Sequence, residues 1–375
     1  MHRRHFLRGT AAALAAPSLL LDARLAAAAH VPRTAAVPLP IRLAQNENPL
    51  GMPEGARRAV IDALKDGNRY PRLGPDVITA IANRNGIAVD NVTLGNGSTE
   101  ILRCGVELVT ARGRAKVVTP HPTYEDMQRY SAPYDAELVR VPLLASGEHD
   151  LAAMRAATEG ARENVLVFIC NPNNPTGGVT DSNRVAEWIA AAPETHTFLI
   201  DEAYFEFVDD PRYRTLVPLA LSRPNVLVSR TFSKIYGMAG LRLGYAVAHA
   251  DMIRRIRPFM AGTNINHLAH IAALAAIDDD DYVRRSVAEN ARARAVVTRT
   301  LDQLGLEWLP SQTNFVMHRI NGDLTEYIAR MREAQIWVGR AFPPLTTYNR
   351  VSLGTAEEME VWAQTLRSFR SRGWV

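Results

Sequence analysis

The sequence predicts an α/β protein: a large domain built on a mainly parallel sheet flanked by helices, followed by a smaller α+β C-terminal domain. Three observations predict it. Val165-Leu166-Val167-Phe168-Ile169-Cys170 is an unbroken apolar run, the pattern of a strand buried on both faces of a parallel sheet. Similar short runs alternate with helix-length segments, and polar or glycine-rich turns follow their C-terminal ends. Beyond Asp251 the texture changes to arginine- and alanine-rich helical stretches with only short strands between them.

Residues 1–29 stand apart. Arg3-Arg4-His5-Phe6-Leu7-Arg8 precedes the apolar run Thr10 to Leu21 and the small residues Ala26 to Ala29, the order of a twin-arginine signal peptide. The run is too short to span a membrane, so no stable membrane anchoring is expected. The expected destination is the periplasm or the exterior, through the twin-arginine export machinery; without a functional signal it is the cytoplasm. That route carries folded proteins, which suits a chain that needs a tightly held organic cofactor. Of the formal charge of +4, this segment holds four arginines and one aspartate, a net of +3, which leaves +1 for the remainder. No basic groove for nucleic acid is implied. The two cysteines, Cys104 and Cys170, sit in apolar segments and make no disulfide framework, and no metal-ligand spacing of Cys or His occurs.

Residues 30–55 read as an N-terminal arm, rich in proline and small residues to Pro40. The large domain is expected over 56–260. Helices are predicted from Pro53 to Gly67, from Pro75 to Arg84, around Ile101 to Val109, over Leu151 to Ala157 and over Asp181 to Ala191. Strands are predicted at Val92 to Leu94, Lys116 to Thr119, Ala136 to Val141, Val165 to Cys170, Thr197 to Ile200, Val226 to Val228 and Gly244 to Ala248. The domain change is placed near Pro258 to Asn264, and residues 261–375 are the small domain. Helices are read over Asp251 to Arg257, His267 to Ala276 and Asp281 to Leu304, strands over Asn314 to His318, Ile336 to Gly339 and Asn349 to Gly354, and a last helix over Ala356 to Phe369.

The chemistry gathers around Val228 to Tyr245, VSRTFSKIYGMAGLRLGY. A single lysine, Lys234, follows the hydroxyls of Ser229, Thr231 and Ser233 and precedes Gly237, Ala239 and Gly240. Arg242 comes eight positions later. Lysine is normally kept on a solvated face; held here it can lose its proton and attack an aldehyde. A Schiff-base lysine beside a phosphate site is what pyridoxal 5'-phosphate requires. Each further demand of that cofactor has a candidate. Asp201, at a strand end, suits the pyridine nitrogen; Asn171 and Tyr204 suit the phenolic oxygen; Tyr124 suits the ring face. Ser98, Thr99, Thr231, Ser233 and Arg242 suit the phosphate, the first two on a glycine turn that opens a helix. Each residue alone has a plainer reading, as a helix cap, a turn residue or half of a surface ion pair. Their joint occurrence at strand ends favours the cofactor.

On Asn46-Glu47-Asn48-Pro49, Asn171 to Gly177, Asp201 to Tyr204, Ser233-Lys234 with Arg242, and Arg350 to Gly354, the chain from about Ile41 onward resembles the fold-type-I pyridoxal-phosphate aminotransferases, near the histidinol-phosphate aminotransferase group. The resemblance implies a homodimer in which Tyr70 reaches the cofactor phosphate of the neighbouring subunit. It implies a substrate site at Arg350, Arg340 and Asn46, and catalysis by Lys234, Asp201 and Tyr204. Trp337-Val338-Gly339-Arg340 departs from the pattern, carrying glycine where that family places its arginine. The expected reaction is ping-pong transamination between an amino acid or amine-bearing metabolite and a 2-oxo acid. Alternatives on the same motifs are a decarboxylase or lyase and a noncatalytic cofactor-binding module; a periplasmic solute-binding protein is a third.

Overall fold

The computed structural model describes residues 37–71, 76–262 and 265–375. The expected signal, the first part of the arm, Pro75 and Asn264 lie outside the described residues. Twelve strands occur among them: β1 (Ile41–Leu43), β2 (Val92–Asn96), β3 (Ala115–His121), β4 (Ala136–Pro142), β5 (Asn164–Cys170), β6 (His196–Asp201), β7 (Val226–Thr231), β8 (Leu243–Ala248), β9 (Trp308–Leu309), β10 (Phe315–Arg319), β11 (Ile336–Val338) and β12 (Tyr348–Ser352). Seven form the large sheet in the order β2-β8-β7-β6-β5-β3-β4. β8 runs antiparallel to β2 and β7, and the remaining pairs are parallel.

The apolar runs behave as strands buried on both faces. Val165, Val167 and Ile169 of β5 pack with Phe198, Ile200, Val226 and Val228 in one core. The alternate residues Leu166, Phe168 and Cys170 pack with Leu199 and Leu227 in another. Helix Ser98–Thr110 covers the second face with Ile101, Leu102, Cys104 and Val106. On the first face lie helix Ser182–Ala191, capped by the Asp181 side chain, and helix His267–Ala276. Burial of this kind contributes roughly 1.5–3 kcal/mol per large aliphatic side chain, so the two faces together fix the sheet on which the site is mounted.

A third core forms around a small antiparallel sheet, β12-β10-β9. Helices Leu324–Glu333 and Ala356–Ser371 pack there, the latter entered through a capping box between Thr355 and Glu358. Helix Asp280–Leu304 joins the cores: Val283 and Val287 lie against the large one, Ala293, Val296, Val297 and Leu301 inside the small one. Helix His267–Ala276 packs in the large core, so the seam between the two cores falls along Asp280–Leu304. Pro53 is the N-cap of helix Glu54–Ala63, one residue before the first-turn position expected for it. Neither β1 nor β9 is foreseen by periodicity. β1 pairs in parallel with β11 and places Ile41 and Leu43 in the small core, so the arm is stitched to the C-terminal third of the chain.

Among the described residues no helix is long and apolar enough to cross a membrane, and no group of three or more His, Cys, Asp or Glu is placed to hold a metal ion.

Candidate active site

The C-terminal ends of the parallel strands open onto a cavity of about 530 Å³, the position at which open α/β sheets bind ligands. It is lined by Ser98, Thr99, Tyr124, Asp201, Tyr204, Thr231, Ser233, Lys234, Arg242, Arg340, Arg350 and Asn46, among others. Twelve of the fourteen residues singled out in the sequence therefore meet in one place. Asn171 and Tyr70 do not.

Lys234 stands where the chain leaves β7. Its Nζ donates to the carbonyls of Gln45 at 3.3 Å and Asn46 at 3.2 Å. Asn46 sits in the left-handed region at φ 55°, which asparagine tolerates. Burial lowers the Lys234 pKa to about 8, with the Arg350 charge acting in the same direction and Asp201 opposing it. About a tenth of the amine is thus unprotonated at pH 7 and about half at pH 8. Asp201 ends β6, next to Cys170 in the register. One carboxylate oxygen accepts from the Ala203 N–H at 3.2 Å, and the Cys170 thiol lies 3.9 Å from the other. Burial pushes this carboxyl up to about 7, only partly offset by the Ala203 N–H and by Lys234. A buried carboxyl in that condition is stabilised as the anion by a cation placed against it, which is what a protonated pyridine nitrogen provides. The adjacent Glu202 is committed elsewhere, to a buried ion pair with Arg230 at 2.8 Å.

Tyr204 accepts a hydrogen bond from Asn46 Nδ2 at 3.0 Å, and burial raises its phenol. Asn46 is in turn braced by Ser352, whose Oγ donates to Asn46 Oδ1 at 2.9 Å. Asn46 thus holds Tyr204 as well as lining the cavity.

At the other end, helix Ser98–Thr110 points its N-terminus at the cavity. Its N-cap, Gly97, has φ +74° and no side chain to cap the first-turn N–H groups. A Cβ at Gly97 would sit 2.3 Å from Arg242 Nη2, so glycine is required for the guanidinium to close the cradle. Arg242 reaches Ser233 Oγ and Thr99 Oγ1, each at 3.5 Å, and Thr231 Oγ1 donates to Ser233 Oγ at 2.9 Å.

Arg350, on β12 and 8% exposed, enters from the small core. It donates from Nη1 to Asn174 Oδ1 at 2.7 Å and from Nη2 to the Ala44 carbonyl at 2.8 Å, while its buried Nε has no partner. Burial lowers its pKa to about 10. Of the four cationic side chains lining the cavity, Lys234, Arg242 and Arg350 have no ion-pair partner among the described residues; Arg340 pairs with Glu125. The lining also carries Glu47, Glu125, Asp126 and Asp201, so it is the three cations without an ion-pair partner, rather than the net charge, that suit the cavity to anionic groups.

Asn171 is the residue the structure corrects. Its amide is spent on Thr180, donating to the carbonyl at 2.8 Å and accepting from the N–H at 3.0 Å. Asn173 is likewise committed, to Thr123, Pro122 and Thr176. The asparagine that reaches the cavity is Asn174, which the sequence reading passed over. Phe342, also passed over, lines the cavity beneath Arg350. Tyr70 is 87% exposed and far from any role in its own chain's cavity lining.

The pattern of the aminotransferase class I and II family matches residues 40–366. The chain belongs to the class I and II aminotransferases. Histidinol-phosphate aminotransferase 2 of Ralstonia nicotianae is 37% identical over 335 residues, 88% of each chain. Among solved structures, histidinol-phosphate aminotransferase from Sinorhizobium meliloti, in complex with pyridoxal-5'-phosphate, superposes with a TM-score of 0.82 at 27% identity over 96% of each chain. L-threonine-O-3-phosphate decarboxylase from Porphyromonas gingivalis shares the fold, with a TM-score of 0.75 at 22% identity over 88% of this chain and 99% of that one. This aminotransferase is a pyridoxal-phosphate-dependent enzyme that transfers an amino group between an amine-bearing donor and a 2-oxo acid.

Proposed function

We propose that Lys234 is the residue that takes the cofactor aldehyde and afterwards carries the proton between donor and acceptor carbon. Asp201 faces the ring nitrogen, Tyr204 and Asn174 the ring oxygen, with Asn174 in the part foreseen for Asn171, and Tyr124 the ring face. The cradle of Ser98, Thr99, Thr231, Ser233 and Arg242 takes the phosphate. Bound there, pyridoxal phosphate supplies an electron-withdrawing ring that accepts the electrons of the donor's Cα–H bond. The observation that carries this assignment is the set of three cations without an ion-pair partner around one cavity, with the buried carboxyl of Asp201 inside it.

Arg350 binds the donor's carboxylate or phosphate, and its partnerless Nε and two anchored Nη groups leave the guanidinium oriented before substrate arrives. The donor is an amino acid or an amine-bearing metabolite with an anionic group, with glutamate and 2-oxoglutarate as one half of the exchange. The curated relatives act on histidinol phosphate by name, which makes that compound the first donor to try. Screening donors against the purified holoenzyme, reading the cofactor's spectrum, tests the assignment; carbon dioxide release without any need for a 2-oxo acid would instead favour a decarboxylase.

Lys234 carries a pH prediction. Because its amine, not its ammonium, reacts with aldehydes, reductive methylation of the apoprotein with formaldehyde, read at the Lys234 peptide by mass spectrometry, accelerates by roughly tenfold per pH unit up to about 8 and levels off above it. A rate still climbing steeply through pH ~10 would place the amine at its ordinary value and remove this support.

Two further parts of the reading concern assembly and place. The exposed Tyr70, with Leu50, Ile61 and Leu64 also exposed nearby in sequence, fits a homodimer in which Tyr70 reaches the phosphate site of a second copy. The large and small domains expected over 56–260 and 261–375 are joined along the long helix, with His267–Ala276 counted to the large one because it packs in that core. The paired arginines at the start direct export of the folded enzyme. Changing Arg3 and Arg4 to lysine is expected to leave it in the cytoplasmic fraction, and unchanged periplasmic recovery would count against the twin-arginine route.

A further inference from the structure

One ion pair stands at the entrance of the cavity and has no part in the assignment so far. Arg340, in the loop after β11, donates from Nη2 to Glu125, at the start of helix Asp126–Ser131. The neighbouring carboxylates are held differently. Glu47 and Asp126 also line the cavity, but their partners do not: Glu47 pairs with Arg42 at 2.9 Å, and Asp126 with Arg129 at 2.8 Å and the Tyr130 hydroxyl at 3.0 Å. Glu125 alone among them is paired with a cation of the cavity wall.

The position of Arg340 is itself imposed. Gly339 donates its N–H to the Arg350 carbonyl at 3.0 Å, and a Cβ there would lie 2.4 Å from that oxygen. No side chain fits at 339, so this stretch delivers its guanidinium from the next residue, in the loop after β11. There the guanidinium carbon lies 4.2 Å from the centroid of Phe342, and that of Arg350 lies 4.6 Å from the same centroid. One ring thus fixes two cations as neighbours, Arg350 inside and Arg340 at the mouth.

We propose that Glu125 is a specificity-determining residue: a built-in counter-ion that occupies Arg340 in the substrate-free cavity and gives it up to the distal anionic group of a substrate already held at Arg350. The proposal rests on Arg350 binding the first anion. Both partners are largely solvent-exposed, at 57% and 52% of their side chains, and exposed pairs are weak and readily exchanged. A doubly anionic substrate replaces Glu125 at Arg340 and must also overcome the repulsion of the displaced carboxylate. A singly anionic one leaves the pair intact. Selectivity is then a difference between two interactions of Arg340, with Glu125 as the repulsive element.

Holoenzyme carrying E125Q, R340Q or both tests this, with half-reaction rates for glutamate and alanine followed spectroscopically. Affinities for the unreactive acids glutarate and butyrate are measured alongside. Glu125→Gln is expected to raise the glutamate-to-alanine ratio of kcat/KM about two- to fivefold and to tighten glutarate relative to butyrate by a similar factor. In the R340Q background the same change yields no gain. An unchanged ratio and unchanged glutarate affinity in E125Q, or an equal gain in the absence of Arg340, overturns the proposal. Should the wild-type enzyme turn over neither donor, it is the proposed donor class that fails, and the glutarate arm alone decides for or against Glu125.

Discussion

Lys234→Ala is expected to abolish multiple-turnover transamination, by at least about 10⁴-fold, the upper end of what one positioned proton-transfer group contributes. The side chain does two things that no neighbour can do in its place. Among the described residues it is the only lysine lining the cavity, and its surroundings are arranged to release the proton: two backbone carbonyls at 3.2 and 3.3 Å in place of a carboxylate, with burial and Arg350 holding its pKa at about 8. Tyr204 lies beneath it, the ammonium 5.8 Å from the ring centroid, but its phenol is raised by burial and is a poor base near neutrality. The measurement is 2-oxo acid production under saturating cofactor, together with the loss of the covalent link on borohydride reduction. Retained turnover with a retained link would remove Lys234 from the centre of the site.

Arg350→Ala is the second large expectation. The guanidinium is buried, anchored at both Nη groups and free at Nε, so it meets an incoming carboxylate without reorganising. Truncating one partner of a buried charged contact costs about 2–5 kcal/mol, which corresponds to a fall in kcat/KM of roughly 30- to several-thousand-fold for donors with that carboxylate. Arg350→Lys recovers only part of it, because a point charge lacks the planar fork and the anchors to Asn174 and Ala44. Equal losses for a donor that lacks any anionic group would show that the effect is structural rather than recognition.

Much of this site is visible in the sequence because its parts are fixed to strand ends. Asp201 and Lys234 follow apolar runs whose burial on both faces leaves no freedom of register, so the residues after them had to converge. Asn171 fails for an instructive reason. Three asparagines in four positions follow β5, and the strand's direction says only that one of them faces the ligand. The choice is made by long-range hydrogen bonds, with Asn171 drawn to Thr180 and Asn173 to Thr123, leaving Asn174 for the cavity. Periodicity carries no information on such pairings. The same holds for β1 and β9, three and two residues long, too short to complete a pattern. Phe342 was equally invisible, since a lone aromatic in a proline-rich turn gives no sign that two guanidinium groups will share it.

The arm that joins β1 to the large domain sets a boundary on processing. Ala44, Gln45 and Asn46 lend their backbone carbonyls to Arg350 and Lys234, and the strand just before them is fastened to β11. Any proteolytic trimming from the N-terminus that passes Pro40 reaches this strand. Each residue removed after that first loosens the seam with the small sheet and then strips the two cations of the groups that aim them. A cut between Leu43 and Asn48 would separate the carbonyls that aim Lys234 and Arg350 from the strand that holds them, while the phosphate cradle of Ser98, Thr99, Thr231, Ser233 and Arg242 draws on other elements.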